Sequence, residues 1–264
     1  MKQPLLPKNV QRLEQKETFC FSCHPSVTCF TDCCRQLELA LTPYDVLRLK
    51  QGCNLRSEEF LDRYVIMEQA EHETFPRFYL TMVDDGRASC AFVSDTGCTV
   101  YHNRPGACRA YPMGRAAIRQ ADNTMDAFFV LLRESHCLGF KEQQEQNIAG
   151  YGTEQGLESY NRFNDAVAAL LQHEQIRQGK RLSPQQTAQF VLALYNLDRF
   201  RSQLQTGELS GTMELDETTG KRLADDEELL LYAINWLEGI LFKDSQAPQG
   251  AACKGRLSTS CQPD

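Results

Sequence analysis

The spacing of the cysteines constrains this chain more than any other feature. Five of its twelve cysteines lie in the segment FCFSCHPSVTCFTDCCR, residues 19–35. A second segment, SCAFVSDTGCTVYHNRPGACRAYP at residues 89–112, contributes three more, and ESHCLGF contributes one. We interpret these cysteines as one metal-binding constellation that folding brings together.

The chain does not need disulfide bonds to fold. With 264 residues, 42% of them hydrophobic, it can build its own core, whereas disulfide-dense chains are usually small and secreted. The first residues contain no apolar run of signal-peptide length, and no apolar stretch approaches the roughly 20 residues of a membrane span. We therefore expect a cytoplasmic protein that does not bind membranes. In that compartment thiols stay reduced, and clustered cysteines more often bind metal than pair with each other.

The charge of the chain argues against one class of partner. The 28 Lys and Arg residues are outnumbered by 35 Asp and Glu residues, which gives a formal net charge of -7. Nucleic-acid binding usually depends on a basic surface that neutralises phosphates. No basic block occurs in this sequence, so we expect no nucleic-acid partner.

Eight cysteines are the candidate metal ligands, since they lie in these cysteine-rich segments. They are Cys23, Cys29, Cys33, Cys34, Cys90, Cys98, Cys108 and Cys137. Thiolates are preferred by zinc and by iron–sulfur clusters, and four of them suffice for either. Cys33 and Cys34 are adjacent, so their side chains diverge in a strand and in a helix. We expect them to reach different corners of a cluster or two sites, unless one is a buried core thiol.

The remaining cysteines are weaker candidates. Cys53, Cys253 and Cys261 fit the pattern of buried or surface thiols without a metal. Cys20 stands in chelating spacing with Cys23, but the phenylalanines on either side of it also suit a strand. The role of Cys20 stays open on the sequence.

Two histidines and two arginines lie beside candidate ligands. His24 and His136 could coordinate, but a histidine in this position more often makes hydrogen bonds around the ligands. Arg104 and Arg109 flank the cysteine of RPGACRAYP. They either pair with carboxylates or offset the negative charge of a thiolate-ligated cluster.

Local signals predict an α+β fold, with a small antiparallel sheet and helices around the metal site. Thr42, Pro43 and Asp45 form the capping pattern of a helix start, and Ser57 starts a second helix. The turns at 84–86 and 95–97 predict β-hairpins, which would hold two of the cysteines in fixed relative positions. MDAFFVLL reads as a strand leading back to the metal. RPGACRAYP and residues 1–18 are predicted to be irregular.

The composition becomes helical from about residue 158. Three apolar helix faces follow one another. They contain Phe163, Val167, Leu170 and Leu171, then Phe190, Leu194 and Leu197, then Leu229, Ala233, Trp236 and Ile240. We predict a cysteine-cluster domain at residues 1–150, a helical region at 151–245 and a disordered tail at 246–264.

These motifs resemble the YkgJ-type cysteine-cluster family of zinc- or iron-chelating domains. The matching residues are the early group ending in Cys33-Cys34-Arg35, then LTPYDVLRL, SCAFV, GCTVY and RPGACRAYP, within about residues 19–140. The early cysteines are more widely spaced than in many members, and Cys20 need not match. The resemblance implies a metal or iron–sulfur site, in a family mostly without an assigned reaction. Flagellin lysine methylases are similar in carrying such a domain.

Three functions follow from these observations. The surplus and pairing of the thiolates favour an iron–sulfur protein with one 4Fe-4S cluster, acting in redox chemistry, sensing or a cluster-dependent reaction. The first alternative is a structural zinc module that presents the C-terminal helices to a protein partner. The second is a cluster-dependent protein-modifying enzyme similar to the methylases, which predicts a cleft with an open coordination position. The sequence predicts no catalytic residue.

Overall fold

A computed structural model describes residues 6–120, 122, 124–211 and 216–242. The fold is α+β, as predicted, with small antiparallel sheets in the first half and mainly helices in the second. Within these residues no helix is both long and apolar enough to cross a membrane. The predicted disordered tail, with Cys253 and Cys261, lies outside the described residues.

The strands are short and pair in small antiparallel sheets. In chain order they are β1 (Val10–Leu13), β2 (Thr18–Cys20), β3 (Val65–Glu68), β4 (Arg77–Leu80), β5 (Met82–Val83), β6 (Ser89–Cys90), β7 (Val93–Ser94), β8 (Gly97–Cys98), β9 (Met113–Arg119), β10 (Met125–Leu132) and β11 (Glu145–Asn147). One sheet has the order β1-β10-β9, and the pairs β11-β2, β3-β4, β5-β6 and β7-β8 complete the set. The predicted hairpins are confirmed as β5-β6 and β7-β8.

One expectation for the N-terminal arm was wrong. Val10–Leu13 is not irregular but forms β1, which pairs with β10 from Val10 opposite Leu132 to Leu13 opposite Phe129. In the segment VQRL, Gln11 and Arg12 are exposed and only Leu13 is buried, and four residues are too few to show an alternating pattern. Only its partner, the strand formed by MDAFFVLL, defines it as a strand.

The helices occupy the middle and the end of the chain. They are α1 (Pro43–Cys53), α2 (Ser57–Tyr64), α3 (Gly106–Ala110), α4 (Ile148–Glu154), α5 (Leu157–Leu171), α6 (Glu174–Arg177), α7 (Pro184–Leu194), α8 (Leu197–Thr206), α9 (Glu217–Arg222) and α10 (Asp226–Phe242). Short 3-10 turns occur at Asp32–Cys34, Tyr101–Asn103 and Gly139–Lys141. The predicted starts of α1 and α2 are confirmed, whereas Leu197, predicted to share a helix face with Phe190 and Leu194, begins a separate helix, α8.

The helix α1 begins with the predicted capping box. The Thr42 side chain accepts from the amide of Asp45, and one oxygen of the Asp45 carboxylate accepts from the amide of Thr42 at 2.8 Å. The other carboxylate oxygen accepts from the amide of Gly106 at 2.7 Å. That bond lies at the start of α3, which corrects the prediction that RPGACRAYP is only a loop.

The main core joins the C-terminal helices to α1 and α2. Leu49, Phe60, Phe163, Phe200 and Leu237 are completely buried and belong to one cluster. Burial of such side chains is worth about 1.5–3 kcal/mol each. This core crosses the predicted boundary at residue 150, and the boundary itself stays a prediction.

A buried lysine reinforces the same junction. Lys50 on α1 has a side chain only 6% exposed, and its ammonium lies 3.0 Å from Asp198 and 3.1 Å from Asp226. Asp198 also accepts from the amide and the hydroxyl of Ser57. The two aspartates belong to α8 and α10, so this network connects helices that are distant in the sequence.

We expect Lys50→Met to destabilise the metal-free protein by about 3 kcal/mol, because the largely buried carboxylate of Asp198 would lose its cation, whereas Asp226 keeps Arg201. The free energy of unfolding in urea, followed by circular dichroism, tests this. Lys221→Met is the matched control, since Lys221 pairs with Glu217 on an exposed surface. Its effect should stay within about 0.5 kcal/mol. An equal decrease in the free energy of unfolding of Lys50→Met and Lys221→Met would contradict a stabilising role for the buried network.

Candidate metal centre

The early cysteine segment is fixed to the segment around Cys137. The amide of Phe21 donates to the carbonyl of Gln144, and the amide of Ser22 donates to the carbonyl of Gly139, both at 3.1 Å. The amide of Leu138 donates to the thiol of Cys29 at 3.1 Å. Although more than a hundred residues separate the two segments, these bonds bring Cys29 directly against the residue that follows Cys137.

The Cys23 thiol has three other cysteines as electrostatic neighbours. Its pKa is raised to about 11, mainly by burial and then, in decreasing order, by the thiols of Cys33, Cys29 and Cys137. The residue Cys23 still has exposed surface, whereas Cys29, Cys33 and Cys137 are half-buried. We call these four residues the first thiol group.

A second set of thiols gathers where the two hairpins meet the early segment. Arg35 pairs with Ser89 in an isolated antiparallel bridge, and the amide of Gln36 donates to the carbonyl of Ala88 at 2.9 Å. These contacts place Cys34, just before Arg35, beside the strand that carries the first cysteine of the hairpins.

The hairpins hold two further cysteines in a fixed arrangement. Cys98 on β8 lies opposite Val93 on β7, and the amide of Thr99 donates to the carbonyl of Phe92 at 2.8 Å. The amide of Phe92 in turn donates to the Cys90 thiol at 3.5 Å. Hydrogen bonds from amides to sulfur stabilise the thiolate form that a metal requires.

The helix α3 supplies the last thiol of this set. Burial raises the pKa of Cys108 to about 12, and the thiols of Cys90, Cys98 and Cys33 contribute. Burial likewise raises the pKa of Cys90, with Cys98 as a neighbouring thiol. We call Cys34, Cys90, Cys98 and Cys108 the second thiol group.

The adjacent cysteines of the 3-10 turn connect the two groups. The Cys34 thiol stabilises the thiolate of Cys33 and holds the pKa of Cys33 at about 7, while the same contact raises the pKa of Cys34. Cys34 also neighbours the thiols of Cys108 and Cys90. The contact between Cys33 and Cys34 thus favours the thiolate form of Cys33.

Asp45 fixes the position of α3. Its carboxylate is buried and accepts from the amide of Gly106, two residues before Cys108. A Cβ atom on Gly106 would approach the Tyr160 ring to 3.0 Å, so the helix start lies tightly against the core. The capping residue of α1 therefore also orients a candidate ligand.

Arg104 is a buried cation whose charge acts on thiols of the second group. Its side chain is buried and donates to the carbonyl of Tyr101 at 2.7 Å and to the side chain of Gln155 at 2.6 Å. Burial raises the pKa of Cys98, and the charge of Arg104, which acts on the thiols of Cys98 and Cys108, opposes that rise. The charge would therefore favour thiolates at this site.

Arg109 organises the backbone of the same loop. It donates to the carbonyls of Arg104, Gln155 and His102. Within the described residues neither arginine forms an ion pair with a carboxylate. The expectation of carboxylate pairing was thus wrong for both.

Two buried donors near the cysteines have no hydrogen-bond partner in the described part of the chain. They are the Nε of Arg35, which follows Cys34, and the hydroxyl of Tyr111, which has Cys137 and Glu134 as nearby acceptors but no hydrogen bond of good geometry to either. A buried donor without a well-formed hydrogen bond is costly. A metal-bound sulfur of Cys137 is an acceptor that suits the Tyr111 hydroxyl, so this donor fits a thiolate-ligated metal. Sequence reasoning assigned no role to either residue, and no local pattern identifies them.

The remaining candidates lie apart from the two groups or make other contacts. His24 lies 3.6 Å from Glu142, and His136 lies 3.8 Å from Glu134, so each imidazole has a carboxylate partner. Cys20 is exposed on β2, and Cys53 packs against the main core. The assignment of ligands among the cysteines stays a prediction.

The thiols lie in groups, but their sulfur atoms do not yet converge on a common point where a metal ion could bind. Among the described residues, no three His, Cys, Asp or Glu side chains converge tightly enough to hold a metal ion. Most thiols of the two groups have raised pKa values, as for Cys23 and Cys108. Metal binding would release their protons and bring the sulfurs closer.

The raised pKa values predict how the metal-free protein responds to pH. The folded state keeps Cys23 and Cys108 protonated up to about pH 11 and 12, whereas an unfolded chain loses these protons near pH 9. Their contribution to stability is complete below pH 9 and is lost as the pH rises through the folded values. The urea midpoint of reduced, metal-free protein should fall between about pH 8 and about pH 10.5.

A matched pair of variants isolates this effect from other alkaline titrations. In Cys23→Ser/Cys108→Ser the urea midpoint should fall less between these two pH values than in the wild type, and in Cys20→Ser it should fall as much as in the wild type. An identical fall in all three proteins would contradict the assignment of the raised pKa values to Cys23 and Cys108.

Residues 22–145 match the family model described as "Putative zinc- or iron-chelating domain" (CxxCxxCC). The match includes all eight candidate ligands and confirms the resemblance seen in the motifs. Comparison with curated proteins and with solved structures gave no significant match.

Proposed function

We propose that the chain is an iron–sulfur protein that acts in electron transfer or redox sensing, since residues 22–145 match the model of a family of zinc- or iron-chelating domains. The observation that carries the proposal is the number of neighbouring thiols. Eight cysteines lie in two connected groups, and a single structural zinc ion uses only four ligands. A cluster of the 4Fe-4S type is favoured.

The surroundings of the thiols support a cluster rather than a closed zinc site. An iron–sulfur cluster supplies one-electron redox chemistry whose potential depends on charge, on hydrogen bonds to sulfur and on exposure. Here the amides of Leu138 and Phe92 donate to thiols, and Arg104 contributes a buried positive charge. Cys23 has exposed surface, and so does the residue Cys108, although the Cys108 thiol itself lies among closely packed neighbours. A protein partner exchanging electrons could approach at these two residues.

A modifying enzyme is less well supported. That function expects a cleft beside the metal. Two shallow depressions on the described surface are lined by residues of the β5-β6 turn and by residues around Gln69 and Arg181, and neither lining includes a cysteine. We therefore keep redox chemistry as the proposal.

The decisive measurement is iron and acid-labile sulfide analysis of anaerobically purified protein, with an absorption spectrum. We expect iron and sulfide in equal amounts and a broad band near about 400 nm, as for thiolate-bound clusters. Cys20→Ser and Cys53→Ser should keep this spectrum, because both thiols lie outside the two groups. Stoichiometric zinc without sulfide, together with loss of folding on chelation, would instead make the chain a structural zinc module.

Arg104 provides a test of the electrostatics. In the reconstituted protein, Arg104→Gln should make the reduction potential more negative, on the order of 50 mV, because a positive charge near the cluster stabilises its reduced form. Arg199→Gln is the control, since Arg199 lies on α8 and pairs with Glu58 on the surface. A loss of iron from Arg104→Gln with no shift in the potential of the remaining cluster would assign Arg104 a purely structural role.

A further inference from the structure

The two thiol groups are built by different parts of the chain. The first depends on the contact between the early segment and residues 137–144, and the second depends on the two hairpins and α3. Cys34 of the second group comes from the early segment and reaches the hairpins through the bridge between Arg35 and Ser89. The contacts with residues 137–144 and the contacts within the hairpins are otherwise separate, so we expect each set to persist when cysteines of the other are replaced.

Close packing fixes the first group in particular. A Cβ atom added to Gly139 would lie 2.6 Å from the ring of Phe21 and 2.7 Å from the carbonyl oxygen of Ser22. Only glycine allows the two segments to approach this closely. The carbonyl of Gly139 accepts from the amide of Ser22, immediately before Cys23.

The adjacent cysteines lie where the two groups meet. Cys33 and Cys34 form a 3-10 turn, in which successive residues are about 120° apart around the axis, and their sulfur atoms are in hydrogen-bond contact. Just before the turn, the amide of Asp32 donates to the carbonyl of Cys29 of the first group, and just after it Arg35 pairs with Ser89 of β6. Cys33 neighbours Cys23 of the first group as well as Cys108, and Cys34 neighbours Cys90 and Cys108 of the second.

We infer that the chain holds two metal centres with four thiolates each, one formed by the first thiol group and one by the second, which meet at the Cys33–Cys34 turn. The inference deepens the proposed function and depends on it, since it concerns the same thiols. Four thiolates are the usual complement for a tetrahedral soft metal ion or for one iron–sulfur cluster. Both centres therefore accept the same class of ligand.

Titration of the full-length, reduced, metal-free protein with Co²⁺ tests the inference without any activity assay. The readouts are the thiolate-to-cobalt absorption and the number of tightly bound ions per chain. We expect two ions in the wild type. Cys29→Ser/Cys137→Ser and Cys90→Ser/Cys98→Ser should each bind one ion, with about half of the absorption. Cys20→Ser/Cys53→Ser should bind two.

The outcomes separate the inference from the proposed function. One ion in the wild type would overturn the two-centre arrangement but leave metal binding intact. Two ions in the wild type and none in either double variant that keeps the wild-type circular dichroism spectrum would indicate one merged centre, and would also overturn it. If a double variant loses its helical signal, the single variants Cys137→Ser and Cys98→Ser replace it, each expected to weaken one ion only. No bound ion in the wild type would refute the proposed function itself.

Discussion

The buried carboxylate of Asp45 couples the helical core to the metal-binding half. One oxygen completes the cap of α1, whose inner face carries the core, and the other holds the start of α3. Burial of a carboxylate is costly unless its oxygens accept hydrogen bonds, and here both do. The position of Cys108 therefore depends on a helix that is itself fixed by the C-terminal region. This explains physically why a metal-binding segment is followed by so many helices.

The opposite constraint is the cost of forming several thiolates in a partly buried site. Without a compensating positive charge, the thiols keep their protons. Burial is the larger cause of the raised pKa values of Cys23 and Cys108, and repulsion by neighbouring thiolates adds to it. Arg104 supplies part of the compensation, but one guanidinium cannot balance several thiolates. A bound metal supplies the remainder, so metal affinity and protonation are linked.

Elements defined by local chemistry could be predicted, and elements defined by distant partners could not. The capping box of α1 and the tight turns of the hairpins involve residues a few positions apart, so their signals are visible in the sequence. β1 is defined by its pairing with β10, more than a hundred residues away. α3 has only five residues and depends on an acceptor 61 positions earlier. No window of local sequence contains either contact.

The same division applies to the candidate site. The sequence alone determined the chemistry of the ligands, because the residue type fixes the preference of a thiolate for soft metals. It also predicted that the side chains of Cys33 and Cys34 diverge, because side-chain direction follows from any regular backbone, whereas in the 3-10 turn their sulfur atoms are in hydrogen-bond contact. The tertiary structure decided which cysteines are neighbours, and it revealed donors such as the Leu138 amide and the Tyr111 hydroxyl. Those relations depend on how distant segments pack, and the spacing of residues along a chain does not contain that information.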